Sequence, residues 1–289
     1  MGRMSETSIT LSEPARAGTT DTDPIHQLPE GHQWQHAGDA WGRRARDWAC
    51  LFEHYATDTI LAIFGRLGVG PGVSLLDVAC GSGLAIRFAG AAGATTAGID
   101  AAASLVDIAS DRTPDADIRV GDMFALPWPE ASFDVVTSIN GIWGGCEAAL
   151  VEAHRVLRPG GSIAISFWGP GHLDLRPCFR AFAVNSPADH VDGMKRTNAI
   201  SRPGVAEEML AAAGFDGIER DERVSTMEWP DEETAWRALS SVGPAVPALE
   251  AVGPEVLRRQ VAAAIEQLRD RHGIYRFRND HQFVVARKP

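Results

Sequence analysis

The stretch that most constrains the fold is residues 73–83, which read Val-Ser-Leu-Leu-Asp-Val-Ala-Cys-Gly-Ser-Gly. Its first half is an apolar run typical of a strand buried in a parallel sheet. Gly81 and Gly83 then indicate a tight turn, and the segment from Leu84 is predicted to be helical. A strand, a glycine turn and a helix start let backbone N–H groups approach a ligand closely. Asp77, just before the turn, favours a ligand with an amino group or hydroxyls over a bare pyrophosphate.

Polar side chains also end the next three predicted strands. Asp100 ends the second strand 17 residues after Gly83, close to the spacing of about 20 at which an acid meets ribose hydroxyls. Asp122 and Met123 end the third, where the carboxylate could accept a hydrogen bond from an adenine amino group and the thioether could pack on the ring. The fourth strand is Phe133–Asn140. Any one of these acids could instead be an ordinary helix cap.

Together these segments resemble the class I S-adenosylmethionine-dependent methyltransferases, in particular the small-molecule, quinone-biosynthesis-like branch called methyltransferase type 11. The turn Val-Leu-Arg-Pro-Gly-Gly at 156–161, before a predicted fifth strand at 162–168, adds to the resemblance. The resemblance runs from about Trp41 to the C-terminus and is strongest over 73–168. Ala79 departs from it, because the family often has glycine there, and we expect tighter packing rather than lost binding.

The resemblance implies S-adenosylmethionine as the cofactor and gives each strand end a role. The turn Ala79–Gly83 would hold the methionine portion, with Asp77 helping to orient it. Asp100 would bind the ribose hydroxyls, the end of the third strand would bind the adenine, and Asn140 would lie beside the sulfonium. The implied cofactor-binding residues are Asp77, Ala79, Cys80, Gly81, Gly83, Asp100, Ala101, Asp122, Met123, Asn140 and Trp41.

Three tryptophans are the predicted substrate-binding residues. Trp143, in the loop beside the expected methyl group, suits an apolar or aromatic small molecule, and Trp168 and Trp48 are the other predicted substrate-binding residues. In the resembling family the segment before the first strand closes over the cofactor, whereas core packing explains the same helical pattern without any function. The residues that fall on one face of this predicted helix are Trp41, Ala45, Trp48, Phe52 and Tyr55.

The sequence leaves the catalytic residue unknown. In-line methyl transfer needs alignment and a dry cavity but no protein nucleophile. A base helps only if the acceptor still carries its proton, and a neutral histidine has a suitable pKa. His172 and His281 are the weak candidates, each more often a packing or surface residue. The other histidines considered are His32, His36, His190 and His272.

Two other functions stay open at this point. A nicotinamide-dependent oxidoreductase would share the glycine turn and the ribose acid, but it normally needs a third glycine where this chain has Ile86, and it gives no reason for Asp77 or Asp122. A protein that binds S-adenosylmethionine for cyclisation or regulation would carry the same binding motifs. The acceptor, the methylated atom (oxygen, nitrogen, carbon or sulfur) and the oligomeric state, including a homodimer, are not specified.

Composition argues against several partners. The net charge of −11 disfavours a nucleic-acid substrate, which would need a basic face. No apolar run approaches the length of about 18 residues that a membrane span needs, and the start of the chain lacks a signal-peptide pattern. The four cysteines show no paired metal spacing, so we expect no metal site and a reduced, cytoplasmic protein.

We therefore predict an α/β fold with a Rossmann-like, doubly wound, mostly parallel seven-stranded sheet whose last strand is antiparallel. Residues 1–30 are predicted to be a disordered tail, and residues 31–289 to be the methyltransferase domain. Roughly residues 230–280 separate the last two strands, far more than a hairpin needs. We predict that this block is a helical lid over the substrate pocket, followed by a final strand at 282–287.

Overall fold

The computed structural model describes residues 33–289, so the predicted tail and His32 lie outside the described residues. Seven strands form one sheet in the order β3-β2-β1-β4-β5-β7-β6. The strands are β1 (Ser74–Val78), β2 (Thr95–Asp100), β3 (Asp117–Val120), β4 (Phe133–Ile139), β5 (Leu157–Leu173), β6 (Asp216–Trp229) and β7 (Tyr275–Arg287). The α-helices are α1 (Gln33–Gly42), α2 (Ala45–Asp47), α3 (Thr57–Leu67), α4 (Leu84–Ala91), α5 (Ala103–Arg112), α6 (Glu147–Val156), α7 (Arg176–Asn185), α8 (Ala188–Thr197), α9 (Val205–Ala212), α10 (Glu232–Leu239), α11 (Val246–Val252) and α12 (Pro254–Ile265).

The sheet confirms the predicted architecture. Strands β1 to β5 pair in parallel, and β7 pairs antiparallel with both β5 and β6. The chain order reverses direction between β1 and β4, which in open α/β sheets is where ligands bind beyond the carboxyl ends of the strands. The ends of β1, β2 and β4, which carry Asp77, Asp100 and Asn140, therefore meet at one edge.

Each face of the sheet buries its own apolar core. One core joins α3 and α4 to the helices between β6 and β7, with Ile63 and Leu257 fully buried. The other joins α6 and α9, with Leu150 and Leu210 fully buried. No helix within the described range 33–289 has both the length and the apolar character to span a membrane.

The segment before β1, which we call the cover (residues 33–56), is not the single helix that its apolar spacing predicts. Helix α1 ends at Gly42, and α2 is followed by a π-helical turn, Trp48–Phe52, and a 3₁₀ turn, Glu53–Ala56. The break lets the cover bury two different surfaces: α1 packs on α5, and the following turns pack on β6 and meet the glycine turn where Glu53 accepts from Ser82. Regular 3.6-residue periodicity cannot satisfy both directions at once.

The helices α10, α11 and α12 lie between β6 and β7, and we call them the insertion. Trp236 and Val242 of this block are buried in the core shared with α3. Strand β7 begins at Tyr275, not at 282 as predicted, because its first half pairs with β6 from Trp229 to Val224. The structure also contains α8, which the sequence did not reveal because no residue of this helix is buried.

The packing of α1 against the residue that follows β2 depends on Gly38, and a substitution at this position tests that contact. A Cβ at Gly38 would lie 2.2 Å from the carbonyl oxygen of Ala101, whereas one at Gly65 in α3 would meet nothing within 4 Å. Gly38→Ala should therefore push α1 outward, at a cost of about 1–3 kcal/mol, and speed hydrogen exchange over residues 33–42. The control Gly65→Ala should stabilise α3 by up to about 1 kcal/mol. Unchanged exchange of α1 in Gly38→Ala would show that this contact does not hold the helix.

Candidate active site

The turn after β1 has a left-handed backbone at three positions, with φ of +57° at Ala79, +55° at Gly81 and +83° at Gly83. Gly83 is required by packing, because a Cβ there would lie 2.9 Å from the Cβ of Ala109. Ala79 carries its methyl group in a conformation that favours glycine. That methyl faces Gly141, where a Cβ would lie only 2.4 Å away, so the alanine fits because its neighbour has no side chain.

Asp100, at the end of β2, is fixed by two backbone amides. Its Oδ2 accepts from the N–H of Gly81 at 2.8 Å and its Oδ1 accepts from the N–H of Ala102 at 2.8 Å. Burial raises the pKa of Asp100, and these amides partly offset the effect. Each carboxylate oxygen has about two acceptor sites, so each can still accept one further hydrogen bond. Two such oxygens side by side suit the two neighbouring hydroxyls of a ribose.

Asp77, near the end of β1, is a buried carboxyl that faces a cleft. It is 2 % exposed and accepts a 2.6 Å hydrogen bond from the hydroxyl of Thr137. Burial raises its pKa to about 7, and the nearby charge of Asp100 adds to the effect. A cation beside such a carboxyl stabilises its ionised form, so Asp77 suits a positively charged ligand.

This cleft lies between the glycine turn and the cover. The cover contributes Trp48, Glu53 and Tyr55, and the turn contributes residues 79–82 together with Asp77. Glu53 is 5 % exposed, so two buried acidic residues line one narrow space. Among the predicted site residues, the structure brings Asp77, Ala79, Cys80, Gly81 and Trp48 together here.

A second cleft, of about 840 Å³, lies between α1 and the end of β2. Ala101 and Val120 line its sheet side, and Trp34 and Gly38 line its helix side. The predicted adenine-binding pair follows Val120 by two and three residues. Asp122 is half-buried and accepts from the N–H of Phe124 at 2.9 Å, and Met123 packs against the core on the α6 side.

The predicted tryptophans form one connected row with a tyrosine, which we call the aromatic row. Ring centroids lie 6.1 Å apart for Trp143 and Trp41, 5.1 Å for Trp41 and Trp48, and 6.2 Å for Trp48 and Tyr55. The row continues from Tyr55 to Trp168 at 4.7 Å. It therefore joins the glycine-turn cleft to the ends of β4 and β5.

His281 lies at the centre of a buried chain of hydrogen bonds. Its Nδ1 is 2.8 Å from the hydroxyl of Thr59, and its Nε2 is 3.2 Å from Oδ1 of Asn140. Because the amide oxygen only accepts, Nε2 must carry the proton and Nδ1 accepts from Thr59. Burial lowers the pKa of His281 to about 3, so the ring is neutral. The amide of Asn140 in turn hydrogen-bonds the phenol of Tyr55, whose pKa burial raises.

The remaining candidate histidines that the structure describes are His172, His190, His36 and His272. His172 is exposed, with Nε2 3.1 Å from Oδ1 of Asp174 and its backbone N–H donating to Asp280. His190 is half-buried, and burial lowers its pKa. His36 and His272 are exposed. None of these four lines either of the two clefts described here.

Several residues of the site were not predicted from the sequence. Tyr55 is one of only two tyrosines, and a phenol on an otherwise apolar helical face was a signal for a buried polar role. Glu53 sits in the same stretch, where a buried acid looks like any surface glutamate in sequence. Thr137 and Arg112 carry no signal at all, because their partners are 60 and 59 residues away in the chain.

The sequence is similar to those of known methyltransferases. A family model described as a methyltransferase domain matches residues 76–165. Malonyl-acyl-carrier-protein O-methyltransferase of Methylococcus capsulatus is 30% identical over 234 residues, which span 77% of this chain and 80% of that protein. Demethylmenaquinone methyltransferase of Renibacterium salmoninarum is 35% identical over 185 residues, spanning 63% of this chain and 70% of that protein.

Solved structures share the fold. A candidate methyltransferase of Bacillus halodurans superposes with a TM-score of 0.54 at 16% identity, covering 80% of this chain and 99% of that one. Phosphoethanolamine N-methyltransferase 2 of Haemonchus contortus, solved with S-adenosylhomocysteine, superposes with a TM-score of 0.51 at 20% identity, covering 80% of this chain and 52% of that one.

The chain belongs to the class I S-adenosylmethionine-dependent methyltransferases. It is therefore an enzyme whose cofactor is S-adenosylmethionine, as the sequence predicted. The residues present fit this cofactor. Asp77 is a buried carboxyl of raised pKa beside the glycine turn and suits a cationic group, and Asp100 retains acceptor capacity for two hydroxyls.

The raised pKa of Asp77 predicts a proton released on cofactor binding. The ligand-free carboxyl has a pKa of about 7 against about 4 in an unfolded chain, so it is largely protonated at pH 6. A bound cation favours the carboxylate, so S-adenosylmethionine should bind more tightly as pH rises towards and through 7.

The same shift means that the ligand-free protein loses stability as pH rises from about 4 through about 7.

Calorimetric titration at pH 6 in two buffers of different ionisation enthalpy measures this proton directly. Wild-type enzyme should release a proton, and Asp77→Asn, which keeps an acceptor for Thr137, should bind without release. Asp58→Asn, at an exposed position in α3, should behave like the wild type. A heat of binding independent of the buffer in the wild type would contradict the role of Asp77.

Proposed function

We propose that this enzyme methylates a small apolar or aromatic metabolite that binds along the aromatic row next to Asn140. The observation that carries the proposal is that five aromatic rings contact one another in a row beside Asn140, the polar residue that follows β4. Trp143, Trp41, Trp48, Tyr55 and Trp168 are in sequential ring contact. Ligand sites of this kind combine aromatic walls with a few fixed polar groups.

The names of the two relatives point to different acceptors. One is named for a malonyl group on a carrier protein and the other for demethylmenaquinone. A quinone-like ring is the better match to a row of aromatic side chains, because offset and edge-to-face ring contacts stabilise such a complex beyond simple burial. We therefore propose an acceptor that carries an aromatic or quinonoid ring.

The cofactor supplies an electrophilic methyl group on a sulfonium, which an aligned nucleophile displaces in line. In the proposed arrangement Asp77 and the turn at 79–83 hold the amino-acid end, Asp100 holds the ribose, and Asp122 with Met123 holds the adenine. Ala101 and Trp41 would flank the adenosine, and Asn140 would lie nearest the reacting end. The assignments of Asp77, residues 79–82 and Ala101 are supported by the clefts that these residues line, and the other assignments are supported by family membership.

We propose that His281 positions Asn140 and does not act as a general base. Both ring nitrogens are already used, by Thr59 and by Asn140, and the pKa of about 3 leaves the ring a weak base. Asn140 and Tyr55 then present an amide and a neutral phenol to the acceptor. An acceptor whose nucleophilic group is already deprotonated needs nothing more from the protein.

The insertion is proposed to close the acceptor side. It is tied to the cover by Arg44, which donates to the hydroxyl of Ser240 at 2.6 Å, and by Arg237, which pairs with Asp47 at 2.5 Å. The ring of Trp41 also lies against Gly243, where a Cβ would be only 2.7 Å away. Cover and insertion together would exclude water from the methyl-transfer path, which strengthens every polar contact inside.

Further features support a metabolic enzyme of a reducing compartment. The four cysteines are all unpaired, as expected for a cytoplasmic protein. The net charge of −11 disfavours nucleic acids as acceptors. These properties support a small-molecule acceptor without naming one.

Transfer of a labelled methyl group to a panel of acceptors tests the function. Hydroxylated naphthoquinones and phenols should be labelled, and simple aliphatic amines should not, because the amines would leave the aromatic row without ring contacts. Trp143→Ala should raise KM for the best acceptor by about tenfold or more, the loss expected when one ring contact and its buried area are removed. Labelling of amines alone, or an unchanged KM in Trp143→Ala, would contradict the proposed acceptor class.

Two histidine variants test the absence of a histidine base. His281→Phe breaks both hydrogen bonds and frees Asn140 to rotate, so kcat should fall by about tenfold to a hundredfold without a new pKa in the pH–rate profile. His172→Gln should leave kcat unchanged, because His172 is exposed and pairs with Asp174. Loss of turnover in His172→Gln would contradict the proposal and indicate that His172 is the base. Loss of the acidic limb of the pH–rate profile in His281→Phe would likewise indicate that His281 is the base.

A further inference from the structure

Arg112, the last residue of α5, joins two parts of the cofactor site that are far apart in sequence. Its Nη1 donates to Oε1 of Glu53 at 2.6 Å and to the carbonyl oxygen of Ser82 at 3.1 Å. Its Nη2 donates to the carbonyl oxygen of Ala49 at 3.0 Å. Ala49 and Glu53 belong to the cover and Ser82 to the glycine turn, so one guanidinium bridges the two walls of the cleft.

Glu53 completes this bridge from the other side. Its Oε2 accepts from the hydroxyl of Ser82, so each of its carboxylate oxygens binds a different partner. The side chain of Glu53 is buried, whereas Arg112 is about a quarter exposed. A buried carboxylate without a cation is costly, and Glu53 lines the same cleft as Asp77. Arg112 is therefore the positive charge that allows a second acid at this position.

The local structure of the cover gives the bridge its importance. Residues 45–56 form three short turns of different helical type, and short turns are not stable alone because helix nucleation is unfavourable. On the side of the insertion, Trp229 holds this segment by donating to the carbonyl oxygen of Leu51 at 2.8 Å. On the side of the glycine turn, Arg112 makes the corresponding contacts.

We propose that Arg112 is a positioning residue that locks the cover onto the glycine turn and thereby sets the affinity for S-adenosylmethionine. Arg112 lines neither of the two clefts, so it would act through the residues that do. It fixes the peptide of Ser82 within the turn and places Trp48, Glu53 and Tyr55 along the cleft. The inference depends on the cofactor chemistry of the family and not on the proposed acceptor, so the two can fail separately.

Arg112→Lys is the first test, because lysine keeps the charge but cannot reach three acceptors in a fixed fork. Calorimetry should show Kd for S-adenosylmethionine raised by about tenfold or more, since several charge-assisted hydrogen bonds are lost. Hydrogen exchange of the ligand-free protein should speed up over residues 45–56 and 79–83 and remain unchanged in β5 and β7.

Arg66→Lys is the matched control. Arg66 also lies in the last turn of its helix and pairs with two acids, Glu219 and Asp221, but these partners belong to β6 and not to the cover or the glycine turn. This variant should keep the wild-type Kd and the wild-type exchange of the cover. A fall in melting temperature common to both lysine variants would report only general helix stability.

Glu53→Gln keeps the test decisive if Arg112→Lys folds poorly. Glutamine retains an acceptor for Arg112 and removes the charge, so the cover should loosen less and Kd should rise less than in Arg112→Lys. In kinetics both variants should raise KM for S-adenosylmethionine more than they lower kcat. Wild-type Kd together with wild-type exchange of residues 45–56 in either folded variant would overturn the proposal, as would faster exchange spread evenly over the whole sheet.

Discussion

The proposed cofactor site depends on one carboxylate that is held by the turn it faces. Asp100 accepts from the N–H of Gly81, so the end of β2 fixes the backbone of the turn that follows β1. The left-handed φ of Gly81 is part of the same geometry, and a buried N–H without an acceptor would be costly. Because a second amide, from Ala102, holds the other oxygen, the carboxylate is oriented before any ligand arrives, which lowers the ordering cost of binding.

The second constraint is electrostatic. Glu53, Asp77 and Asp100 lie close enough for their charges to act on shared neighbours: Glu53 and Asp77 both raise the pKa of Tyr55, and Asp100 raises that of Asp77. Among the three, Arg112 pairs with Glu53. The remaining negative potential is unfavourable in the ligand-free protein and favourable once a cation binds. Strain of this kind, placed where the ligand goes, is typical of functional sites.

The proposed cofactor half of the site carries a clear sequence signal because its parts are local. A strand, its terminal acid and the next glycine turn lie within about a dozen residues, so Asp77, Gly81 and Gly83 carry a recognisable spacing, and the parallel order of the strands then brings Asp100 to the same edge. The cover could not be predicted in detail. Its apolar spacing correctly marks Phe52 and Tyr55 as buried, but the switch from α to π to 3₁₀ turns is set by tertiary contacts such as that of Arg112 with Ala49.

The proposed acceptor half lies beyond local patterns for a topological reason. Strand β7 runs antiparallel between β5 and β6, and this places His281 beside Asn140 although 141 residues separate them. The contact between His281 and Asn140 depends on the register of β5 and β7. Trp168 pairs with His281 across these two strands, so a shift of one residue would turn the imidazole to the opposite face of the sheet.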